Sequence, residues 1–288
     1  MLTEQGVATL EGSTILDVKS AALDDTLRIT VVPPRLYDAF QSNLPTLYIL
    51  DGDPCLPIAA NIARALQFLA FGAMPPVICV GVGYATDDPF DVLALRTRDM
   101  TPTASTLPPS PLPMDKYGTG GAARFLDALA EDVFPLVEDR WRSDPADRCL
   151  VGWSLGGLLG LHALFTRPQM FSRYILVSPS IWWDDQRVLV DEASYAETHD
   201  DLAAKIFCCV GEREETAPAR MWPPQPGEAG EFAMQARMVT ALDELVVRLR
   251  SRRYPSLDLT HRVFEDEHHV TVFPTAFTRG LVSLYSTV

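Results

Sequence analysis

Basic residues are scarce in this sequence. Lysine and arginine number 24 against 38 acids, for a net charge of -14 over 288 residues. That leaves no basic footprint for nucleic acid and works against docking on anionic membrane surfaces. A small substrate stays open, because a local basic pocket can sit inside an acidic surface. Cysteine is sparse too. The five cysteines are odd in number and no pair has CxxC spacing, so neither a disulfide framework nor a zinc knuckle is expected. Four of them fall in apolar, strand-like runs, where cysteine packs as a small core residue. No apolar run is long enough to span a bilayer: the stretch near 56–82 is broken by Asn61, Arg64, Gln67 and the pair Pro75-Pro76. The opening Met-Leu-Thr-Glu-Gln-Gly lacks the basic and apolar regions of a signal peptide. A soluble protein in the reducing cytoplasm is the expectation.

Apolar residues make up 47% of the chain, ordinary for a globular protein with a sizeable core. The pattern predicts strands at 13–20, 26–34, 46–50, 77–83, 148–152, 173–178, 205–210 and 257–264. It predicts helices at 55–71, 121–141, 155–166, 187–197, 231–252 and 272–286. Strands alternating with helices imply an α/β fold with a mostly parallel sheet covered on both faces. No internal repeat or linker divides the chain, so one domain over 1–288 is expected. Two polar, proline-rich segments interrupt the alternation, at 85–117 and 214–229. Both follow strands at the edge where such sheets bind ligands, and both are expected as long loops beside the site.

The chemistry centres on Gly152-Trp153-Ser154-Leu155-Gly156. This G-x-S-x-G follows a strand and opens an apolar helix, the context of a nucleophile elbow. The turn lifts the Ser154 hydroxyl above the sheet edge and places the Leu155 amide at a helix N-terminus, where it can hold an oxyanion. A serine hydroxyl needs a base. His162 lies two turns into the helix, His199 in a polar helix end and His261 within a strand. His268 and His269 follow the last strand, so one of that pair is the base. The acid is expected after strand 205–210, where Glu212, Glu214 and Glu215 compete. A second oxyanion donor is expected from the loop Leu50-Asp51-Gly52-Asp53.

These residues together resemble the Putative esterase family of α/β hydrolases, which includes siderophore trilactone esterases of the enterobactin type and the antigen 85 mycolyltransferases. The likeness rests on Leu-Tyr-Ile-Leu-Asp-Gly-Asp (47–53), Arg-Thr-Arg-Asp-Met-Thr-Pro (96–102) and Gly-Gly-Ala-Ala-Arg-Phe-Leu (120–126). It continues through the serine motif (152–157), Ser-Pro-Ser-Ile-Trp-Trp-Asp (178–184), Val-Gly-Glu-Arg-Glu (210–214) and Glu-Asp-Glu-His-His-Val-Thr-Val (265–272). Several of these strings resemble the siderophore-esterase branch in particular. The resemblance implies an α/β-hydrolase fold and a triad of Ser154, His269 and Glu214, with oxyanion donors at the amides of Asp53 and Leu155.

On the substrate side, Arg96 and Arg98 either bind a substrate carboxylate or aromatic ring or pair with Asp99 or Asp91. Trp153, Trp182 and Trp183 are candidates to line the substrate pocket. The expected activity is ester hydrolysis through an acyl-enzyme, on a siderophore-like or other small ester, without metal or organic cofactor. The competing readings are acyl transfer on the same fold and a non-catalytic binding protein.

Overall fold

The computed structural model describes residues 10–69, 74–105, 114–215 and 236–286. Its strands are β1 (Thr14–Ser20), β2 (Asp25–Val32), β3 (Leu44–Leu50), β4 (Ile78–Tyr84), β5 (Ser143–Trp153), β6 (Arg173–Val177), β7 (Ala204–Gly211) and β8 (Leu257–Phe264). They form one sheet in the order β1-β2-β4-β3-β5-β6-β7-β8. β1 and β2 make an antiparallel hairpin, β2 is antiparallel to β4, and every pair from β4 through β8 is parallel.

The parallel strands are apolar on both faces, and the two-residue period of a strand sorts their side chains into two cores. Tyr48, Leu50, Leu150, Leu176 and Ile206 point into one, and Leu47, Ile49, Val151, Ile175 and Phe207 into the other. Helix α1 (Gly52–Leu69) and the C-terminal helix Val272–Tyr285 cover the second face through Ala59, Ala63, Ala276 and Phe277. The helices of the remaining crossovers cover the first. All five cysteines are free and buried.

Some expected elements differ in detail: β5 begins at Ser143, ahead of the expected 148, and residues 70–71 and 231–235 of two expected helices lie outside the described residues. The single helix anticipated over 121–141 is α3 (Ala122–Ala128), a π-helical turn over Leu129–Val133, and α4 (Phe134–Arg140). Pro135 in the first turn of α4 has no N–H to donate to the preceding turn, and the backbone widens there. The segment 85–117, expected as loop, contains helix α2 (Pro89–Asp99). The sequence carried its signal. Asp88 caps it by accepting from the Phe90 amide at 2.9 Å, and Pro89 occupies the first helical position. Residues 106–113 of that segment, and 216–229 of the second expected loop, lie outside the described residues.

β5 runs into helix α5 (Leu155–Thr166), whose residues are almost all buried. An apolar helix of this kind has to lie between the sheet and other helices, and that fixes how the β5–α5 turn sits above the sheet.

Candidate active site at the carboxyl edge of the sheet

Ser154 occupies the turn between β5 and α5 at φ 61 and ψ -119, a region that non-glycine residues enter at a cost of about 1–3 kcal/mol. The surroundings impose it. The Ser154 amide donates to Val177 O at 2.9 Å, and Ser154 O accepts from the Leu158 and Ser180 amides at 3.0 and 3.1 Å. Gly152 is required by close approach, since a Cβ there would lie well inside van der Waals contact with Gly156 O. Leu155 begins α5, so its amide is one of those that a helix leaves without an intrahelical partner.

The turn after β7 is a short 3-10 helix over Glu212–Glu214. Its side chains at the first and second positions face solvent, while Glu214, one turn on, is buried. Glu214 Oε1 reaches back to the Gly211 amide at 2.7 Å, as in a capping box. The same oxygen accepts from Ser178 Oγ at 2.5 Å. The other oxygen, Oε2, accepts from His269 Nδ1 at 2.6 Å. An imidazole held this way on Nδ1 keeps its free lone pair on Nε2. The Arg213 amide donates to Glu267 O at 3.0 Å, joining the two loops that carry acid and imidazole. His269 is half-exposed, and its ring lies tilted against Trp153 with centroids 5.4 Å apart.

Glu212 instead accepts from the Asp266 amide at 3.2 Å. Glu215 caps the helix Met238–Arg252 through Thr240, with bonds of 2.7 and 2.6 Å to its amide and hydroxyl. His268 lies in the same turn, its carbonyl accepting the Thr271 and Val272 amides.

Ser154, His269 and Trp153 line one pocket of about 530 Å³, within the range of small-molecule sites. Asp51, Gly52 and Asp53 line it too, and α2 contributes Pro89, Val92, Leu93 and Arg96. Asp53 stands in the first turn of α1, which leaves its amide free of an intrahelical partner. Burial raises the Asp53 carboxyl pKa, with Arg28 opposing and Asp87 and Asp51 reinforcing.

A family model described as Putative esterase matches residues 20–263. The chain belongs to the Putative esterase family. It is 32% identical to the siderophore triacetylfusarinine C esterase of Aspergillus fumigatus, over 84% of this chain and 82% of that protein. It is 29% identical to the ferri-bacillibactin esterase BesA of Bacillus subtilis, over 95% of this chain and 89% of that one. Among solved structures, the BES protein from Bacillus cereus superposes with a TM-score of 0.81 at 26% identity, covering 99% of this chain and 100% of that chain. The fold is that of an α/β hydrolase, and the enzyme is a carboxylic ester hydrolase.

The remaining expected site residues of this esterase divide clearly. Arg96 lines the pocket, but its guanidinium forks onto Asp51, with Nε and Nη2 at 2.6 and 2.9 Å from the two carboxylate oxygens. Burial disfavours the charged form of Arg96, and the adjacent Asp51 more than restores it. Arg98 is not among the lining residues. It is paired with Asp99 at 2.7 and 2.8 Å and with Asp25 at 3.3 Å. Asp91 pairs with Lys116. Trp183 is buried in the core, its Nε1 donating to Thr103 O at 3.3 Å, and Trp182 packs beside it. Neither lines this pocket.

Sequence reasoning passed over two residues of the Ser178-Pro179-Ser180 string. Ser178 holds the buried acid, and Ser180 Oγ lies 3.4 Å from Ser154 Oγ. The available signal was a pair of polar residues directly after the apolar strand β6. Among the described residues, no three His, Cys, Asp or Glu side chains are grouped to hold a metal ion. No described helix is long and apolar enough to cross a membrane.

Proposed function

We propose that this esterase cleaves siderophore-type esters through an acyl-enzyme on Ser154. His269 acts as general base, Glu214 as its orienting acid, and the backbone amides of Asp53 and Leu155 as oxyanion donors. One observation carries the reading. Ser154, held at positive φ on a strand-to-helix turn, shares a pocket with an imidazole whose Nδ1 is 2.6 Å from a buried carboxylate.

In the first step His269 Nε2 takes the Ser154 proton as Oγ attacks the ester carbonyl carbon, and the two amides hold the resulting oxyanion. The imidazolium, steadied by Glu214, returns the proton to the departing alkoxide, and the alcohol leaves. Water enters, loses a proton to the same imidazole and attacks the acyl carbon, and Ser154 leaves with the proton restored. An oxyanion donor is worth on the order of 10²- to 10³-fold in such a reaction.

Siderophore esters are favoured as substrates because three relatives that match over more than 80% of their own length carry siderophore esterase names. The pocket's apolar wall of Trp153, Val92, Leu93 and Val270 suits a bulky acyl or alcohol group. Five free, buried cysteines suit a reducing, cytoplasmic compartment.

The test is an ester panel on wild type and Ser154→Ala: a cyclic catecholate trilactone, a cyclic trihydroxamate triester and short p-nitrophenyl esters. The proposal expects wild type to open at least one of the two macrocycles faster than the p-nitrophenyl esters at equal concentration, and Ser154→Ala to open neither. Turnover of p-nitrophenyl esters alone would remove the siderophore assignment. Unchanged turnover by Ser154→Ala would remove the mechanism.

A further inference from the structure

Asp51 is the last residue before the turn that carries the Asp53 amide, and it sits at φ 53, in the left-handed region. Its carbonyl accepts the Cys55 amide at 3.1 Å and so starts α1. The turn is hemmed in, because a Cβ on Gly52 would lie 2.9 Å from the Val82 amide nitrogen on β4. On the other side, the Asp51 carboxylate lies 3.7 Å from where a Cβ of Gly156 would stand, in the first turn of α5. One carboxylate therefore belongs to one of the turns assigned to the oxyanion and lies beside the other.

Arg96 holds that carboxylate from α2 with both forks of a bidentate pair. The two side chains are only 14% and 8% exposed. A buried pair of this geometry is already matched in charge and in hydrogen bonds. A substrate anion would have to displace Asp51 to use Arg96. Helix α2 is itself anchored at its far end, where Arg98 pairs with Asp25 on β2 and Arg98 O accepts the Gly121 amide at 2.7 Å.

We infer that Arg96 is a positioning residue that fixes the oxyanion turn through Asp51, not an anchor for a substrate carboxylate. The inference rests on the acyl-enzyme reading of Ser154. A group that acts only on the oxyanion donors changes transition-state binding and leaves ground-state binding alone, so its loss falls on kcat and not on KM.

The experiment measures kcat and KM for p-nitrophenyl acetate, which is neutral, and p-nitrophenyl hemisuccinate, which carries a carboxylate. Wild type, Arg96→Gln, Arg96→Lys and Asp51→Asn are compared, with Ser154→Ala as the background. For Arg96→Gln we expect kcat to fall about 10- to 100-fold on both esters alike, with KM within about threefold of wild type. Arg96→Lys recovers part of the loss by keeping charge and one bond. Asp51→Asn reproduces the Arg96→Gln pattern and supplies the test where Arg96→Gln does not fold. A rise in KM confined to the hemisuccinate, with kcat kept, overturns the inference and makes Arg96 an anion anchor. No change on either ester overturns it as well. Wild-type activity equal to Ser154→Ala would fail the acyl-enzyme reading itself, a separate outcome that removes this inference with it.

Discussion

Ser178 donates its hydroxyl proton to Glu214 at 2.5 Å, on the oxygen that His269 does not use. The Glu214 side chain is 1% exposed, yet its two oxygens take three hydrogen bonds, from Ser178, Gly211 and His269. A buried carboxylate is tolerable only with such partners. Ser178 and Gly211 therefore aim the acid, and the acid aims the imidazole.

Ser178→Ala removes one of the two bonds on Oε1. A hydrogen bond to a charged group contributes about 1.5–3 kcal/mol, so urea unfolding is expected to show a loss of that size. The rate on a p-nitrophenyl ester should fall as well, with KM close to wild type. Full activity at reduced stability would mean that Ser178 supports the fold and not the imidazole.

Three glutamates follow β7, and only one faces His269. Glu214→Gln should lower kcat by on the order of 10³- to 10⁴-fold, as expected where the residue orienting a catalytic imidazole loses its charge. Glu212→Gln should stay within about twofold of wild type, since its partner is the Asp266 amide on the outer side of the turn. Equal losses in the two variants would remove the assignment of the acid.

The sheet was legible because its strands are short apolar runs bounded by polar turns, and β8 spans the expected residues 257–264. The turn at Ser154 could be read because its signal is local: strand, glycine, serine and helix lie within a dozen residues. Charge alone left Glu212, Glu214 and Glu215 open; the family resemblance pointed to Glu214, and the 3-10 turn is what buries that side chain. Ser178 and the Asp51–Arg96 pair were invisible for another reason. Their partners lie 36 and 45 positions away, and nothing in the local pattern ties those segments together. Arg98 and Trp183 were invisible in the same way, since Asp25 and Thr103, which help to hold them outside the pocket, are as far off in the chain. Helix α2 was missed where composition was allowed to outweigh a capping signal.

Gly152→Ala should be among the most damaging small substitutions in the chain. The added Cβ collides with Gly156 O, a backbone atom that cannot turn aside. A loss of about 3 kcal/mol or more is expected in denaturant unfolding, as for other overpacked sites. Gly156→Ala meets Leu50 side-chain atoms at 3.4 Å and the Asp51 carboxylate at 3.7 Å, both ordinary contacts, and should lose much less. Comparable stability of the two variants would contradict the turn geometry.

His261 on β8 supplies a pH test of the fold. Its side chain is 13% exposed and stands 3.4 Å from Asp243. Burial lowers its pKa below the ordinary 6.5, with Asp243 opposing and Arg250 and Arg262 reinforcing. A base with a depressed folded pKa stays neutral in the native state and takes up a proton on unfolding. The unfolded chain then binds more protons below pH 6.5, so this contribution is complete above that value and is lost as pH falls. His261→Gln should lose less Tm than wild type between pH 7 and pH 5. An identical slope would show that His261 titrates as it does in the unfolded chain.

The most direct measurement is covalent labelling with a fluorophosphonate, read by peptide mass. The account predicts one adduct, on Ser154, forming at least about 100-fold more slowly in His269→Gln, which lacks the general base, and absent from Ser154→Ala. Ser180, 3.4 Å away from the Ser154 hydroxyl, is the natural rival. An adduct on Ser180, or labelling of Ser154→Ala at the wild-type rate, would contradict the assignment of the nucleophile.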